Sequence, residues 1–110
     1  MKNVKHYRQG DVYITKVEYV NTEGYTKRQP KGSNLILAYG EVTGHHHSIN
    51  LLDTPDAELL ENPSGDMILK LNGFATITHQ EHAPIVLNPG FYECFIQEEY
   101  DPEGMRRVQD

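Results

Sequence analysis

Cysteine is almost absent: Cys94 stands alone among 110 residues, so no internal disulfide can form and a reducing compartment is expected. Long apolar runs are missing as well. No stretch approaches the ~20 apolar residues needed to cross a bilayer, and the start, MKNVKHYRQGDVYI, lacks the continuous apolar segment of a signal peptide. The expectation is a soluble, cytoplasmic protein with no membrane partner. Positive charge is scarce: 10 Lys and Arg face 16 Asp and Glu, a formal net charge of −6. Only Lys27-Arg28 and Arg106-Arg107 offset it locally, so phosphate backbones are repelled and nucleic acid is not expected as a partner. Helical periodicity is scarce too, and so are the signatures of common chemistry. There is no phosphate-binding glycine loop, nucleophile elbow or paired-carboxylate motif.

Hydrophobic residues make up 37%, below the roughly 45–50% of an average domain. At this length residues 1–110 form one domain with one modest core, which a bound metal or assembly into a homo-oligomer would supplement.

What the chain does contain is the punctuation of a β protein. Asp11–Val20 is rich in β-branched and aromatic residues and follows a glycine, as a first strand would. NTEGYTKRQPKGSN, residues 21–34, reads as a long polar loop, and Leu35–Tyr39 as a strand buried on both faces. Met67–Leu71 and Phe74–His79 flank Asn72-Gly73, the strongest short-range hairpin signal, because both turn residues then take positive φ. Ile85–Leu87 leads through Asn88-Pro89-Gly90 into Phe91–Gln97, with Phe91 and Phe95 on one face and Tyr92, Cys94 and Ile96 on the other. Ala57–Glu61 is too short for more than a turn and reads as strand or loop. Asp101-Pro102 resembles a helix N-cap with proline at the first helical position, so MRRV is expected to form one terminal turn. Six to eight short strands imply an all-β, single-domain barrel or sandwich.

Five of the six histidines fall in two clusters: GEVTGHHHSIN holds His45, His46 and His47, and THQEHAP holds His79 and His82. In a strand, His45 and His47 share a face while His46 points away, and Gly44 before them lets the backbone bend. His79 ends a strand on the face of Ala75 and Ile77, and His82 follows across a two-residue step where the chain turns toward Pro84. Imidazoles at such spacing suit zinc or another divalent transition metal. The expected ligands are His45 and His47 with His79, His82 or both. Three histidines leave a position for water, while four protein ligands close the site. Glu81 and Glu41 each neighbour a cluster and are the candidate catalytic bases, each alternatively a ligand or an acceptor that holds an imidazole tautomer. His6 and His46 read as ordinary surface histidines, and Cys94 as a small buried hydrophobe. Arg8–Asp11 could orient a substrate but reads more simply as the turn before a first strand.

RQGDV at 8–12, GEVTGHHH at 40–47, THQEHAPI at 78–85 and PGFY at 89–92 together resemble a group of small bacterial and bacteriophage proteins, a resemblance that spans nearly the whole chain and implies no activity. The layout distantly resembles cupins, which place His-x-His on one strand and a further histidine on a later one. Here Ile49-Asn50-Leu51 stands where cupins carry a glutamate, and the later motif is His-x-x-His. The reading is a zinc-dependent enzyme of cupin-like size that activates water to hydrate or hydrolyse a small-molecule substrate. The alternative is a non-catalytic, metal-stabilised binding or structural module, such as a phage accessory protein.

Overall fold

The computed structural model describes residues 5–39, 45–96, 98–101 and 104–107. These hold twelve strands and no helix: β1 (His6–Gln9), β2 (Val12–Val17), β3 (Thr26–Lys27), β4 (Asn34–Tyr39), β5 (His46–Asn50), β6 (Glu58–Glu61), β7 (Met67–Leu71), β8 (Ala75–Thr78), β9 (Ile85–Leu87), β10 (Gly90–Ile96), β11 (Glu98–Asp101) and β12 (Gly104–Arg107). One sheet runs β1-β2-β10-β7-β6-β3 and a second β4-β5-β8-β9, with β11 and β12 forming a separate hairpin. All pairings are antiparallel.

A single apolar cluster joins the two large sheets into a sandwich. Val12, Ile14, Leu59, Leu69 and Tyr92 come from the first, and Leu35, Leu37, Ile49, Ile77 and Leu87 from the second. The period-2 rule explains the selection: along β10, Tyr92 and Cys94 are buried while Glu93 and Phe95 are exposed. Burial pushes the Cys94 thiol up to about 12, so it stays protonated and unreactive. Burial also raises the Tyr92 phenol, which donates a 2.6 Å hydrogen bond to the Asn88 carbonyl. Gly90, at φ 146, leaves space that a Cβ would take from the Lys16 side chain, 3.0 Å away. No helix among the described residues is long and apolar enough to cross a membrane.

β4 is buried on both faces, as its unbroken apolar run implies, but it is not regular. Its register against β5 slips between Ile36 and Ala38, leaving Leu37 as the extra residue of a bulge. Arg28 braces that bulge by donating to the carbonyls of Ile36 and Leu37, at 2.9 and 3.2 Å, while pairing with Glu61 at 2.7 Å. The guanidinium holds the Glu61 carboxyl below its usual range and ties β6 of one sheet to β4 of the other.

Three expectations fail. The first strand is β1, so Asp11 lies in a turn and not in a strand. Asn72-Gly73 makes no hairpin: neither residue has positive φ, and the link carries the chain from β7 of one sheet to β8 of the other. Both edges of β7 are already taken by β6 and β10, which overrides the local turn signal. Over its described residues MRRV forms no helical turn, because Gly104–Arg107 pairs with β11 instead, and Val108 lies outside the described residues. A lone helical turn fixes three residues for one hydrogen bond, whereas strand pairing satisfies the backbone along its length.

Candidate metal centre

The register of the second sheet assembles the histidines. β5 and β8 pair with Ser48 opposite Thr78 and Ile49 opposite Ile77, so one step further His47 faces His79. Their ring centres stand 4.4 Å apart. The turn after β8 returns His82 to 4.6 Å from His79 and 6.2 Å from His47, and His45 lies 5.6 Å from His79. His47 is fully buried and His79 nearly so. The four expected ligand residues thus form one cluster at the end of the sandwich, with Ala38, beside the bulge, paired to His47.

Hydrogen bonds assign the tautomers of two of the rings, His47 and His79. His45 Nδ1 lies 3.1 Å from Glu81 Oε1, and His47 Nδ1 lies 2.8 Å from Gln9 Oε1. For His47 the oxygen acceptor on Nδ1 leaves Nε2 as the nitrogen that offers a lone pair, whereas His45 Nδ1 lies near Glu81 without a hydrogen bond. His79 is set the other way: the Glu81 backbone N–H donates to its Nδ1 at 3.0 Å, which puts the proton of a neutral ring on Nε2. Gln80 Oε1 accepts the His46 backbone N–H at 2.9 Å and ties the turn to the start of β5. Strand alternation sends the His46 side chain to the face opposite His47. His6 sits apart, hydrogen-bonded to Thr15 on the exposed edge of the first sheet.

Among the described residues, no three of the His, Cys, Asp and Glu side chains stand as they are in a metal-holding arrangement. Glu41 lies outside the described residues. Glu81 is half-exposed, with its carboxylate engaged by His45.

Two residues enter the site that the histidine pattern did not single out. β1 and β2 are joined by the two-residue turn Gly10-Asp11, with Gly10 at φ 59, the value a type II′ hairpin requires of its first turn residue. This turn buries Asp11 to 1% exposure and sets its Oδ1 3.3 Å from His47 Nε2. Gln9, also buried, donates its amide to the carbonyls of Ile77 and Ala83, at 3.0 and 2.9 Å. Arg8–Asp11 is therefore an ordinary turn, as read, and also a wall of the histidine cluster. The available signal was an Asp and a Gln around a turn glycine, and it acquires meaning only once the turn is known to point inward.

No curated protein and no solved structure matches the chain. A family described as a domain of unknown function (DUF8820) matches residues 8–97, which include β2 to β10, the Gln9–Asp11 turn and all four clustered histidines. The chain belongs to that family.

Proposed function

We propose that the protein binds one divalent transition metal, zinc first, at its histidine cluster and uses it to activate water toward a small molecule. The gathering of four imidazoles from two distant segments carries this reading. Two imidazoles bonded to one tetrahedral ion have ring centres about 5 Å apart, and the spacings of 4.4, 4.6, 5.6 and 6.2 Å bracket that value. The Gln9 oxygen on His47 Nδ1 gives this ring the orientation that metal-bound histidines have. From the second segment, His79 stands nearest the other rings but has its Nδ1 lone pair used by the Glu81 amide, while His82 stands 6.2 Å from His47. A bound zinc would lower the pKa of its water from 15.7 to about 7.

A second reading, the metal-stabilised module, draws support from Glu81: its carboxylate lies 3.1 Å from His45 Nδ1 and would have to leave it to take a proton from water. One set of measurements separates the two. Protein purified without a tag should carry close to one metal per chain; elemental analysis finding none, with no zinc uptake on titration, overturns both readings. On metal-loaded protein, Glu81→Gln should reduce carbon dioxide hydration or ester, lactone or phosphoester hydrolysis by ~10²–10⁴-fold if Glu81 serves as a base. As an orienting residue only, it should instead weaken metal binding by ~10–100-fold.

A further inference from the structure

We infer that Asn72 is a site of spontaneous covalent modification: the Gly73 nitrogen displaces its side-chain amide, and the main product lengthens the link between the two sheets. An Asn-Gly pair is suited to this because glycine has no Cβ to crowd the attacking nitrogen. A hairpin would give the pair a structural purpose, with both residues at positive φ. Here the fold makes no such use of it. Neither residue has positive φ, and a Cβ at Gly73 would meet nothing within 4 Å. No turn and no close approach requires this glycine, and what its missing Cβ leaves open is its own nitrogen.

The surroundings leave the reacting groups accessible. Asn72 is exposed, and among the described residues no hydrogen bond holds its side chain or the Gly73 N–H. The other described asparagines differ. Asn21 and Asn50 each accept a backbone N–H through Oδ1, at 3.0 and 2.9 Å, and precede threonine and leucine. Asn62 and Asn88 precede proline, whose nitrogen has no hydrogen to lose. Asn34 is paired within β4 and precedes Leu35.

The chemistry needs only water. The Gly73 nitrogen gives up its proton and bonds to Asn72 Cγ, the Cγ–Nδ2 bond breaks, and ammonia leaves with that proton. The product is a five-membered cyclic imide. Water then opens it at either carbonyl. Breaking the bond from nitrogen to Cγ gives aspartate on an ordinary backbone; breaking the bond to the α-carbonyl gives isoaspartate, in which the chain runs through Cβ and Cγ.

Isoaspartate places one extra backbone atom between β7 and β8, where both ends of the link are fixed. Leu71 pairs with Gly90 and Ala75 with Leu87, and both Leu71 and Ala75 are buried. Between them the Phe74 carbonyl accepts the Thr54 hydroxyl at 3.0 Å. The added atom must therefore displace Phe74 or strain the start of β8, and the modified chain is the less stable one.

The test ages the folded protein for weeks in warm, mildly alkaline buffer and follows it by intact mass, peptide mapping and urea unfolding. Most chains should gain one mass unit at Asn72, largely as isoaspartate, and the aged protein should unfold at lower urea than fresh protein. Gly73→Ala fits the open space at that position and should fold normally but age more slowly by roughly tenfold or more, because its Cβ crowds the nitrogen. Fresh Asn72→Asp carries the new charge on an ordinary backbone and should keep the original urea midpoint. No mass gain at Asn72 in folded protein, while protein unfolded in urea converts in the same buffer, would show that the fold protects the site and would overturn the inference. Equal ageing of Gly73→Ala would overturn the role given to the glycine nitrogen. An unchanged midpoint in protein rich in isoaspartate would overturn the strain assigned to the link.

Discussion

His47→Ala is expected to lower zinc affinity by well over 100-fold, whereas His46→Ala should change it by no more than a few-fold. His47 is fully buried, faces His79 across the β5–β8 ladder and carries Gln9 on one nitrogen and Asp11 near the other. On the proposed reading its removal would delete a ligand, which costs more than the ~10–100-fold of losing an orienting partner. His46 is the next residue of the same strand, and alternation directs its side chain to the opposite face. What His46 contributes toward the site is its backbone N–H, bonded to Gln80, and alanine keeps that group. Isothermal titration of the two variants decides the matter. Equal losses would mean that the two side chains do not lie on opposite faces of β5, and the geometric basis of the site would fall.

Tyr92→Ala should destabilise the fold by about 3–5 kcal/mol, the usual range for removing a buried aromatic ring. Tyr92 lies on β10, between β2 and β7, with no exposed surface. Its ring meets Tyr7 edge-on at 6.3 Å between centres and fills the core beneath the first sheet. Tyr92→Phe removes only the hydroxyl that bonds Asn88 and should cost about 1 kcal/mol. Urea unfolding followed by far-ultraviolet circular dichroism gives both values, with the slope against urea unchanged. A loss for Tyr92→Ala no greater than for Tyr92→Phe would mean that the ring is not packed as described. Neither change touches the histidines, so zinc affinity of the folded variants should match the wild type.

Much of the fold was legible because it rests on local chemistry. Alternation along Phe91–Gln97 placed Tyr92 and Cys94 inward, and the unbroken run at Leu35–Tyr39 indicated a strand covered on both sides. The same period-2 logic put His79 on the buried face of Ala75 and Ile77, whereas His45 lies just outside β5 and its face does not follow from alternation. Local chemistry misled where a distant partner competed. Asn72-Gly73 had the residues of a hairpin, but the edges of β7 were filled by strands that the dipeptide does not encode.

The amino-acid sequence by itself determined the all-β class, the faces of the core strands and the two histidine segments as candidate ligands, because side-chain periodicity and ligand chemistry are properties of short segments. Only the tertiary structure decided that the two segments meet, through the β5–β8 register. It alone turned Gln9 and Asp11 from the end of one sheet onto His47 of the other, and set the Nδ1 atoms of His47 and His79 to opposite hydrogen-bonding roles. Those facts depend on which strands share an edge and which way a turn points. Residues separated by thirty to seventy positions settle both together, through backbone pairing and the burial of one common core.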